Sequence, residues 1–112
     1  IMFKYEENEN DIYISISNDL DIYTAIEFKT LLDKVIDDKR ELEINLAEVT
    51  QIDCAGIQLL MLTKKERDKR NLGLSLVQPS NVVLEAFGFL RLVSYFNDPV
   101  APNNRKGDSD GA

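Results

Sequence analysis

The side chains able to do chemistry gather in one stretch, Ile52-Asp53-Cys54-Ala55-Gly56-Ile57-Gln58-Leu59-Leu60. A strand ends here and a helix begins. A helix start presents unpaired amide groups and positive partial charge, so an anion or phosphoryl group is favoured there, and Asp53 can cap those amides itself. Cys54 is the only cysteine. A thiol beside a helix N-terminus can be acidified and made sensitive to oxidants; the reading preferred for Cys54 is a small, often buried residue filling a Thr-sized site. Ala55 and Gly56 carry no functional group and leave the turn open to close approach by another backbone. The same pattern also reads as nothing more than a capped helix packed on a sheet.

What is missing narrows the chemistry further. There is no histidine, which removes His acid–base catalysis, His-activated nucleophiles and His metal sites. Without a base, Cys54 is a poor nucleophile, and there is no glycine-rich phosphate loop. A single cysteine excludes an internal disulfide and a cysteine metal cluster, a pattern that fits a cytoplasmic location. These absences argue against an enzyme, a metal and a cofactor. The 20 acidic and 13 basic side chains leave a net charge of -7, which repels phosphate backbones and argues against nucleic acid as a partner. Residues 1–50 hold 13 acidic and 5 basic side chains, and residues 51–112 hold 7 and 8, an asymmetry that can steer a partner's approach. No apolar run reaches the roughly 18–20 residues needed to span a bilayer, and nothing at the N-terminus resembles an export signal.

The elements that position the turn follow from periodicity. Phe3-Lys4-Tyr5 and the alternating Ile12-Tyr13-Ile14-Ser15-Ile16-Ser17 predict a hairpin across a polar turn. Thr24 with Glu27 reads as a capping box, and Ala25, Phe28, Leu31, Leu32, Val35 and Ile36 form one face of a helix from Ala25 to about Asp38. Glu41–Leu46 alternates again and continues to Asp53 as a central strand. The next helix runs from Ala55 to Arg70, apolar in its first half and charged from Lys64 onward, with Asn71-Leu72-Gly73 as its stop. Leu74–Val77 reads as a short strand, and Ser80 caps a third helix carrying Val82, Val83, Leu84, Ala86, Phe87 and Leu90, which Gly88 bends near its end. Leu92–Phe96 is ambiguous between strand and helix. The expected fold is α/β, a mixed sheet of four or five strands with interleaved helices. A single domain is expected over residues 1–100, followed by an Asn-, Asp- and Gly-rich flexible tail over 101–112.

Asp53-Cys54-Ala55-Gly56-Ile57 resembles the Asp-Ser/Thr-Ser/Ala-Gly-Leu turn of STAS domains, the domain of bacterial anti-sigma factor antagonists and sulfate transporter tails. Leu20–Ala25 resembles the segment entering that family's first helix, and Leu46–Asp53 its Leu-x-x-Val-x-x-Ile-Asp strand. Val83–Phe87 through Tyr95–Pro99 resembles the ending of stand-alone members, some of them associated with chemotaxis. The resemblance implies the STAS fold and a protein switch: an anti-sigma factor kinase phosphorylates a serine in the turn, and the phosphorylated form lets go. A phosphate adds about -1.5 to -2 charge, enough to break an interface built around that turn. The phosphoacceptor falls on Ala55, which has no hydroxyl. Phosphorylation at the usual place is therefore chemically impossible here.

If the turn docks a protein, the contact residues expected are Asp53, Cys54, Ala55, Gly56, Gln58, Leu59 and Leu62, with Ile57, Leu60 and Met61 packed on the sheet. Asp33, Asp37 and Asp38 on the first helix add negative charge towards a basic partner. The partner classes are an anti-sigma factor kinase, a chemotaxis complex or a transporter ATPase. A receiver domain with Asp53 as phosphoacceptor is the rival α/β reading. It would require alternating strand–helix units, whereas here the first strand is followed by a hairpin partner.

Overall fold

Alternation becomes a sheet with one buried face. In the computed structural model, which describes residues 3–89, β1 (Phe3–Glu7) and β2 (Asp11–Leu20) form an antiparallel hairpin. The chain continues through α1 (Ile22–Val35), β3 (Glu41–Ile52), α2 (Cys54–Lys69), β4 (Leu74–Val77) and α3 (Asn81–Phe89). The strand order is β1-β2-β3-β4, with β3 parallel to both β2 and β4. Parallel neighbours need a crossover, and α1 and α2 supply the two. The sheet is therefore mixed and, among the described residues, four-stranded. Leu90, the ambiguous Leu92–Phe96 and the expected tail over 101–112 lie outside the described residues.

Register explains the core. Ile12 pairs with Leu42 and Ile14 with Ile44, which in turn pair with Leu74 and Leu76. All six are buried, whereas Tyr13 and Ser15 between them are exposed. Phe28, Leu32 and Val35 of α1, Ile57 and Leu60 of α2, and Val83 and Phe87 of α3 close over the same cluster. The Phe3 ring stacks on Phe28 at 5.2 Å between centroids, fastening the edge strand to α1. The β2–β3 pairing shifts register twice, between Ser15 and Ser17 and between Asn18 and Asp19. Asn18 takes a left-handed φ of 70° at the second shift, a conformation that asparagine tolerates. Beyond it, Leu20 and Ile52 end the two strands side by side.

Helix α1 starts at Ile22, three residues earlier than expected, and ends at Val35 rather than near Asp38. Its capping box is Asp21-x-x-Thr24, not Thr24-x-x-Glu27. Asp21 Oδ1 accepts from the Thr24 amide at 3.1 Å, and Thr24 Oγ1 accepts from the Asp21 amide at 2.9 Å. The Thr24 hydroxyl also donates to the Asp19 carbonyl at 2.8 Å, so threonine sits at the third position where it closes the turn on both sides. Asp37 and Asp38 consequently lie past the helix end. Asp33 bonds Lys29, Asp37 bonds Arg70 and Asp38 bonds Arg40, so these carboxylates are paired within the chain rather than held free for a partner. Ser80 caps α3 as expected, accepting from the Val83 amide at 3.3 Å.

Within the charged second half of α2, Arg67 is wholly buried. Its Nη1 donates to the carbonyls of Val35 at 3.1 Å and Asp38 at 2.5 Å. Nη2 donates to Arg40 O at 2.7 Å and Gly73 O at 2.6 Å, and Nε reaches Gly73 O at 3.2 Å. One planar guanidinium thus ties the end of α1, the entry to β3 and the entry to β4, a task for which the single ammonium of lysine lacks the fork geometry. Burial pushes the guanidinium pKa down while the charges of Asp38 and Glu41 push it back up. It starts so high that the group stays protonated. Just beyond, Leu72 N–H donates to Arg67 O and Asn71 N–H to Asp68 O, with Asn71 at φ 57°. This is a Schellman stop in which asparagine, not Gly73, takes the left-handed position.

Arg67→Met removes the side-chain donor of the Asp38 and Arg40 carbonyls, each costing roughly 1–3 kcal/mol, while Val35 O and Gly73 O keep the amides of Asp38 and Leu42, so a loss of about 3 kcal/mol is expected. Urea denaturation checks it, with the midpoint lowered and the slope unchanged. A second expectation concerns acid. Hydrogen bonds from the Arg40 side chain and backbone hold the Asp38 carboxyl well below the usual range, and the Thr24 amide does the same for Asp21 more mildly. A depressed folded pKa contributes stability that is present above the unfolded value and lost as pH falls through the folded one. The urea midpoint should therefore hold down to about pH 5 and fall steadily below about pH 4, with a shallower fall in Asp38→Asn.

Candidate functional site

Because β2 and β3 are parallel and end together, two helix starts emerge from the same end of the sheet. Asp21 caps α1 after Leu20, and Asp53 caps α2 after Ile52. Asp53 is extended (φ −116°, ψ −175°), and its Oδ1 accepts from the amides of Ala55 at 2.9 Å and Gly56 at 3.2 Å. Those two donors, the ones an incoming anion would seek, are occupied by the protein's own carboxylate. The Asp53 amide donates in turn to the Leu20 carbonyl at 3.3 Å, lacing the turn to the end of β2.

Gly56 corrects an expectation. It is buried, and the backbone that approaches it closely belongs to Leu20 of the same chain. A Cβ added at Gly56 would lie 2.6 Å from Leu20 O and 2.8 Å from Leu20 Cγ. Glycine is required here by packing, not by a visitor. Leu59 likewise turns inward, half-buried against the core, and Met61 joins it there. Asp53, Cys54 and Gln58 are exposed, Ala55 is half-buried and Leu62 is 51% exposed. Cys54 is thus on the surface, not in a packed Thr-sized site. Leu62 borders a shallow depression of about 650 Å³ with Gln58, Met61 and Lys65. The seven candidates therefore divide: five reach the surface, while Gly56 and Leu59 shape it from beneath.

Three further residues belong to this end of the molecule. Ile22, Tyr23 and Ile26 in the first turns of α1 are 56%, 78% and 66% exposed. Ile22 lies two residues beyond Leu20, whose carbonyl holds Asp53, so α1 starts beside the turn. The buried stripe of Ala25, Phe28 and Leu32 defines the helix and leaves its other side unassigned. The signal was present, since Ile22 and Ile26 are one helical turn apart on the opposite side. Among the described residues no group of three or more His, Cys, Asp or Glu is placed to hold a metal ion, and no helix is long and apolar enough to cross a membrane.

Residues 3–93 match the family described as "Mlab, STAS domain". The chain belongs to the STAS domain family. One curated relative is the anti-sigma-B factor antagonist of Bacillus subtilis (strain 168), 28% identical over 82 residues that span 73% of this chain and 75% of that protein. Two solved structures share the STAS fold. The unphosphorylated form of the anti-sigma factor antagonist SpoIIAA, a Bacillus protein, superposes with a TM-score of 0.73 at 19% identity, covering 86% of each chain. An anti-sigma factor antagonist from Mycobacterium paratuberculosis gives 0.76 at 19% identity, covering 91% of this chain and 87% of that one. The present STAS domain shares its fold with these antagonists.

Gly56→Ala should cost about 1–3 kcal/mol, because the methyl meets a backbone carbonyl that cannot step aside. Cys54→Ser, on the surface, should change stability by less than roughly 0.5 kcal/mol. Paired denaturant titrations separate the two.

Proposed function

We propose that this STAS domain is a non-catalytic regulatory module that docks an anti-sigma factor kinase. The contacts are Asp53, Cys54 and Ala55 of the turn together with Gln58 and Leu62 on the outer side of α2. The observation that supports the reading is the turn itself: it stands at the surface, held against the end of β2 by the Asp53 amide on the Leu20 carbonyl and by close packing at Gly56. A preordered surface loses little entropy on association, which suits recognition by another protein. The relative in Bacillus subtilis is named for antagonising an anti-sigma factor.

Ala55 stands where the family resemblance puts the phosphoserine, so binding through this turn is not released by phosphorylation there. A chemotaxis complex or a transporter ATPase would meet the same surface and is the alternative occupant.

The test uses the anti-sigma factor kinase of the same organism with ATP, read by intact mass and by a binding titration. The native chain should bind and keep its mass, while Ala55→Ser gains one phosphate and then releases the kinase. Leu62→Lys should weaken binding at least tenfold, about 1.4 kcal/mol. A native chain that acquires phosphate on the 53–58 segment overturns the reading, and so does one that ignores the kinase.

A further inference from the structure

Ile22, Tyr23 and Ile26 are, with Leu62, the large apolar side chains more than half exposed among the described residues, and the three stand together in the first turns of α1. The fold does not need them there: α1 is held by Ala25, Phe28, Leu32 and Val35 on its other side. A contiguous apolar patch beside a rigid turn marks a contact surface. Its surroundings state what kind of partner it fits. Asp19 and Asp21 precede the patch, Glu27 follows it and Asp53 lies across the Leu20 contact. Among the described residues none of these four carboxylates has a salt-bridge partner, whereas Lys29, the nearest cation on α1, is taken by Asp33 at 2.9 Å.

We infer that Ile22, Tyr23 and Ile26 are the second half of the docking surface, inserting into an apolar pocket rimmed by arginine or lysine on the partner protein. The inference rests on reading the Asp53 turn as a docking site and adds the chemistry of what docks. Tyr23 is the anchor, a large amphipathic ring with few rotatable bonds. The carboxylate ring supplies steering: opposite charge raises the encounter rate and salt suppresses it. A second copy of this chain is the wrong occupant, since patch on patch would set carboxylates against carboxylates.

The experiment measures association and dissociation of the full chain with the same kinase at two ionic strengths. The combined variant Tyr23→Ser, Ile26→Ser should dissociate at least tenfold faster, with an unchanged thermal transition showing that the fold is intact. Glu27→Lys should slow association several-fold and flatten its dependence on salt. If the serine variant binds as the native chain does while Leu62→Lys weakens, the patch is overturned and the turn survives; if neither weakens, or the native chain binds no kinase, both fall. A native dimer in sedimentation that Ile26→Ser dissolves also overturns the inference, since the patch would then serve self-association.

Discussion

Helix α2 begins so close to the end of β2 that there is no room for a side chain between them. The Leu20 carbonyl lies where the Cβ of any residue but glycine at position 56 would be, and the same carbonyl accepts the Asp53 amide. The rest of this end of the molecule depends on that contact. It sets the two capping aspartates side by side, starts both crossover helices from the same end of the sheet, and leaves the turn between them with no freedom to fold inward. The outward side chains are then decided by elimination. Asp53, Cys54 and Gln58 face solvent because Gly56, Ile57 and Leu60 cannot.

The far end of α2 is held by different means. There a buried guanidinium gathers carbonyls from three segments and joins them through one planar group. Around it the charges are spent on one another: Arg40 bonds Asp38 and Glu7, and Arg70 bonds Asp37 and Glu66. The helix is a strut fixed at both ends. Its lower end pairs Lys64, Glu66, Lys69 and Arg70 within the chain, while its upper end exposes Cys54, Gln58 and Leu62.

Much of the fold was legible because period two and period 3.6 are local properties. The alternation of Ile12–Ile16 and Leu42–Leu46, the stripe of Phe28, Leu32 and Val35, and the Asp-Cys-Ala-Gly turn could all be read without knowing what lay opposite. Arg67 could not be separated by charge, since it sits in a run of seven charged residues from Lys64 to Arg70. Its helical position was the available sign: Ile57, Leu60, Thr63 and Arg67 continue one buried stripe. The cap of α1 is ambiguous in the sequence for a related reason. Thr24 is competent as a first cap or as the third residue of a box, and the local pattern does not choose; the Asp19 carbonyl does.

By itself the sequence determined the order of the elements, the inward and outward faces of the strands, the place of the turn and the absence of a hydroxyl at residue 55. These follow from residue type and spacing alone. Only the tertiary structure decided that Gly56 answers to Leu20, that Leu59 lies inward while Leu62 lies outward, and that the first turns of α1 share a surface with the start of α2. Each depends on two segments some thirty residues apart meeting at the ends of paired parallel strands, and no periodicity within one segment carries the position of another.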